Sequence, residues 1–171
     1  ALKGRGYIMT RDGEHFIARL ITVDGVLTSE QFTVAAEAAE KFGNGQLAMT
    51  SRLTIEVQGL TYDTIEPFNE YISKAGLYTG GTGSRVRPIV ACKGTVCIHG
   101  LIDTQGLARE LHEKFYKGWY DIKLPHKFKI GVGGCPNNCI KPSLNDFGIM
   151  GQKVPDYDQD DCNGCPKCYV V

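Results

Sequence analysis

The chain has 171 residues, of which 42% are apolar and 22% charged, with 19 basic residues against 19 acidic ones. A chain of that length buries roughly 70% of its unfolded surface, and its balanced charge lacks both the basic excess of nonspecific nucleic-acid binding and the composition of a disordered chain. No stretch approaches the about 20 consecutive apolar residues of a membrane span, and the opening ALKGRGYIMTRDGEH has no apolar signal-peptide core, so a cytoplasmic protein that binds neither nucleic acid nor membrane is the expectation.

In chain order, EHFIARLITV alternates partly and reads as a strand. Thr28-Ser29-Glu30-Gln31 is a capping box that opens a helix through the alanine-rich QFTVAAEAAEKF and ends it at Gly43. QLAMTSRLTIEVQG follows as two short strands or one bent strand, with Leu53, Ile55 and Val57 on one face and Arg52, Thr54 and Glu56 on the other. A second helix starts near Asp63, takes Pro67 in its first turn and ends at Gly76. Strand, helix, strands, helix describes an α+β sandwich. The segment YTGGTGSR then reads as a flexible hinge or as an anion-binding nest of backbone N–H groups. Beyond it come a strand from Pro88 to Ala91, a cysteine loop, and a helix from about Thr104 to Tyr116 with Leu107, Leu111 and Phe115 in register. A strand from Lys127 to Val132 and a second cysteine loop follow.

The seven cysteines are divided as Cys92 and Cys97 (C-x4-C), Cys135 and Cys139 (C-x3-C), and Cys162, Cys165 and Cys168 (C-x2-C-x2-C). An odd count in a reducing compartment argues against a disulfide framework. The last run has the spacing of a bacterial ferredoxin loop, whose fourth cysteine would come directly after Val171. The expectation is therefore a sequence cut from a longer protein, with the incomplete loop empty or disordered. A zinc knuckle is the alternative, although three cysteines without a nearby histidine make a poor tetrahedral site. The first two pairs each follow a short apolar run and sit among turn residues, Gly-Gly before Cys135 and Pro-Asn-Asn after it. Two such loops leaving the same end of one sheet can bring four thiolates around one cluster; buried structural cysteines are the bland alternative.

Arg85 and Arg87 stand two apart before the first cysteine loop, and Lys127 and Lys129 two apart before the second. Residues at i and i+2 share a strand face, about 6.6 Å apart, so each pair presents like charges to one space while Phe128 and Ile130 face the core. The pattern is either a solvated face or an anion site; Arg52, on a polar face of the first half, adds a fifth cation. His126 reads as structural, His99 as structural or as a group tuning a cluster, and Tyr116, Trp119 and Tyr120 as packing.

ACKGTVC followed by GGCPNNC, led by LPHKFKIGVGG and preceded upstream by GNGQLAMTSRLTIEVQGL, resembles the siroheme and [4Fe-4S] sulfite and nitrite reductase family, from about Phe16 to Gly151. One departure is the four-residue spacing of the first cysteine pair, where the family usually has five. The resemblance implies a ferredoxin-like α/β sandwich at residues 1–78, an α/β siroheme-[4Fe-4S] domain at 79–155, and the start of a ferredoxin-type insertion at 156–171. It implies Cys92, Cys97, Cys135 and Cys139 as cluster ligands, with Cys139 bridging to the siroheme iron. Arg52, Arg87, Lys127 and Lys129 would bind the substrate anion, and Arg85 would meet a siroheme carboxylate. Cys162, Cys165 and Cys168 would belong to a second [4Fe-4S] cluster in the intact protein. The implied reaction is reduction of sulfite to sulfide by six electrons drawn from a ferredoxin or a reductase subunit, and Lys129, where nitrite-type members tend to carry asparagine, leans toward sulfite over nitrite. A single copy of each domain implies a homodimer or a partner subunit. The competing expectations are an iron–sulfur electron-transfer or scaffold protein without catalytic siroheme, for which the short first loop and single copy speak, and a zinc-binding structural domain.

Overall fold

The computed structural model describes residues 2–154, 156 and 158–165. Its first half is a four-stranded antiparallel sheet in the order β1-β2-β4-β3, built from β1 (Tyr7–Met9), β2 (Phe16–Leu20), β3 (Leu47–Met49) and β4 (Ile55–Leu60). Helices α1 (Ser29–Phe42) and α2 (Ile65–Ser73) pack against each other and contribute with the sheet to one core. Alternation explains the sheet: along β2, Phe16, Ala18 and Leu20 are buried and the residues between them are not. The capping box at the start of α1 is present, with the Gln31 N–H donating to Thr28 Oγ1 at 3.1 Å and the Thr28 N–H to Gln31 Oε1 at 3.0 Å. Gly43 closes the helix by donating to Ala39 O.

The second half is a parallel sheet in the order β5-β6-β7, from β5 (Val90–Ala91), β6 (Ile130–Gly133) and β7 (Phe147–Met150), around a core of its own that includes Ile89, Ala108 and Val132. Helix α3 (Thr104–Leu111) connects β5 to β6 and continues as a π turn, His112–Lys117. The wider turn brings His112 and Tyr116, both buried, into a stack with ring centroids 4.7 Å apart. Together the elements form the α+β architecture expected, and no helix among the described residues is long and apolar enough to cross a membrane.

Several local expectations are corrected. The face pattern from Arg52 to Val57 holds only from Ile55 onward. Residues 50–53 form a turn in which Leu53 takes a left-handed φ of 58° and is 39% exposed, while Thr54 is fully buried and bonded to Thr50. Phe128 is 38% exposed, because the paired part of β6 begins at Ile130 and a single bridge, Val86 to Phe128, precedes it. β1 and β7 had no distinct sequence signal.

The glycine-rich segment at 78–83 is not a free hinge. Gly80 and Gly81 are buried, Gly80 N–H donates to Arg19 O at 3.0 Å, and Ile21 N–H donates to Tyr78 O at 3.0 Å. A Cβ on Gly80 would overlap Tyr116 Oη. Glycine is there for close packing beneath an aromatic ring, not for flexibility.

Candidate functional site

The two cysteine loops leave the same end of the parallel sheet, just past the C-terminal ends of β5 and β6. Cys92 continues the pairing by donating its N–H to Val132 O at 3.1 Å. The short spacing to Cys97 is taken up by a tight 3-10 turn, Lys93–Thr95, closed by Cys97 N–H to Gly94 O and by Gly100 N–H to Cys97 O. Thr104, the first residue of α3, donates its hydroxyl to Cys92 O at 2.7 Å, and Thr95 donates its own to Asp103, which caps α3 through Gly106 N–H. These hydrogen bonds hold the Asp103 carboxyl below its usual range. The first loop is thereby fixed to a helix end.

The second loop is fixed to the first. Leu101 N–H donates to Gly134 O at 2.9 Å, and Gly134 N–H donates to Cys92 Sγ at 3.2 Å. Gly94 and Gly134 face each other so closely that a Cβ on either would come within 2.9 Å of the other's Cα. Inside the C-x3-C turn Asn138 has a φ of 57°, and its buried Oδ1 has no partner among the described residues.

Cys92, Cys97, Cys135 and Cys139 all line one cavity of about 380 Å³. Leu53 from the first half, Ala91, Lys93, Gly94, His99, Asn137 and Ile140 share that wall with them. All four cysteines are free thiols. Among the described residues no group of three His, Cys, Asp or Glu is placed to hold a single metal ion. Four cysteines lining one cavity match the four thiolates that hold a [4Fe-4S] cluster, and the volume lies within the about 300–1,000 Å³ range of cofactor pockets. A glycine-tight, hydrogen-bonded cradle with four thiols therefore fits an iron–sulfur cube.

The cations read from the sequence do not line this cavity. Arg52 sits on the turn before β4 and reaches across to the second half, donating Nη2–H to Pro88 O at 2.6 Å and to Ile130 O at 3.2 Å, and Nη1–H to Asn145 Oδ1. Arg87 donates to Gly81 O, which also accepts from Arg19 at 2.9 Å. Burial, and then the neighbouring Arg87 charge, lower the Arg52 guanidinium to about 10, while burial and Arg19 lower Arg87. Among the described residues, the buried Nε atoms of Arg52 and Arg87 have no hydrogen-bond partner. Arg85 turns elsewhere, stacking over Tyr120 and donating to its carbonyl at 2.7 Å.

Lys127 is exposed and Lys129 half-buried; the Lys129 backbone N–H is held by Asp146 at 2.8 Å. His126 is exposed, His99 is exposed on the cavity rim, and Tyr116, Trp119 and Tyr120 pack through edge contacts. Cys162 and Cys165 are exposed and away from the cavity wall, and Cys168 lies outside the described residues. Sequence reasoning passed over Lys93 and Leu53 as cavity residues. Lys93 could have been found from its place directly after Cys92; Leu53 carried no signal of its own.

Comparison with known proteins covers both halves. Residues 8–75 match the model of the nitrite/sulfite reductase ferredoxin-like half domain, and residues 82–160 that of the nitrite and sulphite reductase 4Fe-4S domain. The chain is 35% identical over 161 residues to a coenzyme F420-dependent sulfite reductase of Methanocaldococcus jannaschii, covering 94% of this chain and 25% of that protein. It is 35% identical over 164 residues to a subunit of the anaerobic sulfite reductase of Salmonella typhimurium, covering 84% of this chain and 45% of that one. The chain thus spans less than half the length of either relative. The crystal structure of dissimilatory sulfite reductase I superposes with a TM-score of 0.74 at 24% identity, over 85% of this chain and 35% of that one, a likeness of fold.

Proposed function

Because the chain belongs to the sulfite and nitrite reductase family, we propose that it forms the siroheme- and [4Fe-4S]-binding part of an oxidoreductase that reduces sulfite to sulfide with six electrons. The observation that carries this reading is the convergence of four free thiols, from loops some forty residues apart in sequence, on one cavity wall. Cys92, Cys97, Cys135 and Cys139 would hold the cluster, with Cys139 shared with the siroheme iron. When bound, the two groups supply the path by which electrons reach the oxyanion.

The chain's own residues attract, hold and protonate that anion. Arg52 and Arg87 stand close enough for the Arg87 charge to depress the proton affinity of Arg52, and each keeps a buried Nε–H without an acceptor among the described residues. Such a pair is relieved by an anion, whose S–O bonds it would polarise as oxygen leaves as water. Lys127 and Lys129 carry compact ammonium groups, which would donate hydrogen bonds and protons to the departing oxygen. Lys129, just before β6, stands where nitrite-type members of the family tend to carry asparagine and so favours sulfite over nitrite. Arg85, held on Tyr120, would meet a siroheme carboxylate only after leaving that ring. Cys162, Cys165 and Cys168 would serve a second cluster, and a ferredoxin or reductase subunit would deliver electrons to a homodimer or a partnered subunit.

The test is reconstitution of the anaerobically purified full-length protein with siroheme, iron and sulfide, followed by measurement of sulfide released from sulfite under a low-potential reductant. A Soret band, a red siroheme band and sulfide release are expected. An iron–sulfur shoulder without siroheme bands or turnover would instead identify an electron-transfer protein.

A further inference from the structure

The wall of the cysteine cavity is glycine, aliphatic side chain and thiol, apart from Lys93, Asn137 and His99. Among the described residues Lys93 is its only lysine or arginine; it directly follows Cys92 and opens the 3-10 turn that closes the first loop. Its four-carbon stem keeps the ammonium within a side chain's length of that wall. Among the described residues Lys93 makes no ion pair. The nearest acid along the chain beyond it, Asp103, is spent on Thr95 and on the cap of α3.

We propose that Lys93 is a tuning residue that raises the reduction potential of the cluster held by Cys92, Cys97, Cys135 and Cys139. The inference rests on the cluster reading above. A cube held by four thiolates is negative, and its reduction adds one electron from an external one-electron donor, with no bond made or broken and no proton taken up. A positive charge beside the cluster stabilises the more negative, reduced form; Lys93 is itself exposed, so water screens part of the effect, and the apolar remainder of the wall leaves the rest. The hydrogen bond from Gly134 N–H to Cys92 Sγ acts in the same direction. Lysine therefore offsets the depression of potential that burial in glycine and aliphatic groups would otherwise impose.

The experiment is an EPR-monitored redox titration of the anaerobically reconstituted full-length protein, comparing wild type with Lys93→Gln, Lys93→Arg and Lys153→Gln. Lys153 is exposed and off the cavity wall. Lys93→Gln is expected to weaken the cluster's electron affinity threefold to tenfold, about 30 to 59 mV downward for a one-electron couple. Lys93→Arg and Lys153→Gln should stay near wild type. If Lys93→Gln does not load while Lys93→Arg does, the positive charge is required even for assembly, which supports the proposal. A Lys93→Gln midpoint equal to that of Lys153→Gln, or failure of Lys93→Gln and Lys93→Arg alike, overturns it. A wild type without any cluster signal overturns the cluster reading itself, so the two failures are distinguishable.

Discussion

Gly134→Ala tests how the two cysteine loops are held together. A Cβ at position 134 would stand 2.9 Å from Gly94 Cα, 3.3 Å from Thr104 Cγ2 and 3.4 Å from Cys92 Sγ. The nearest of these is backbone in a 3-10 turn tied to α3, so no flexible side chain can swing away. Carbon atoms rest about 3.5–4.0 Å apart, so the loops must separate by about 0.6–1.1 Å. That displacement is comparable to the tolerance of a designed metal site, roughly 0.5 Å, and overpacking of this kind costs about 1–3 kcal/mol. At roughly 2–4 °C per kcal/mol for a chain of this size, the apoprotein should melt about 2–12 °C lower by circular dichroism. Iron and labile sulfide after reconstitution should fall well below the wild-type content. Wild-type melting together with full cluster loading in Gly134→Ala would refute the claim that glycine contact sets the spacing of the thiols.

Arg52→Ala removes the donors that Pro88 O, Ile130 O and Asn145 Oδ1 share across the two halves. It should cost about 2–4 kcal/mol, on the order of 5–15 °C in melting temperature; a melting curve like that of wild type would show that the clamp contributes nothing. Burial lowers His112 to about 4 from 6.5. The unfolded chain therefore binds a proton that the folded chain refuses, and stability is lost as pH falls from about 6.5 to about 4, by at most about 3 kcal/mol. Chemical denaturation at a series of pH values should show a shallower loss over that window in His112→Gln than in wild type, and identical slopes would contradict the assignment. Lys129→Asn in the reconstituted full-length protein should reduce sulfite turnover far more than it alters the siroheme spectrum; unchanged sulfite kinetics would remove Lys129 from the site.

The sequence carried the parts of this molecule that depend on local chemistry. Thr28 and Gln31 announce α1, alternation along β2 and β4 announces the buried faces, and Gly-Gly-Cys and Pro-Asn-Asn-Cys announce a turn. What it did not carry depends on contacts between distant segments. The glycines at 80 and 81 read as a hinge because nothing nearby reveals that Tyr116 lies over Gly80 and that Pro88 and Ile21 close on Gly81. Arg52 read as one more cation on a polar face, whereas its guanidinium spans to carbonyls at 88 and 130. Leu53 was placed with the core by its spacing, but a left-handed backbone at that residue turns it toward the cysteine cavity. His112 escaped notice because it is polar, although it stands at i+4 spacing from Ala108 and i+8 from Thr104, which are buried with it. The cysteine loops were the converse case: spacing gave the chemistry of each, and only the parallel pairing of β5 with β6 put them at one end of the sheet.

The most direct measurement is the iron and labile-sulfide content, with Mössbauer spectra, of full-length protein carrying Cys92→Ser, Cys97→Ser, Cys135→Ser or Cys139→Ser singly. A shared cube predicts that a change in either loop degrades the same spectral component. A component that survives intact when Cys135 and Cys139 are each replaced, yet vanishes with Cys92 or Cys97, would mean that the two loops do not hold one cluster.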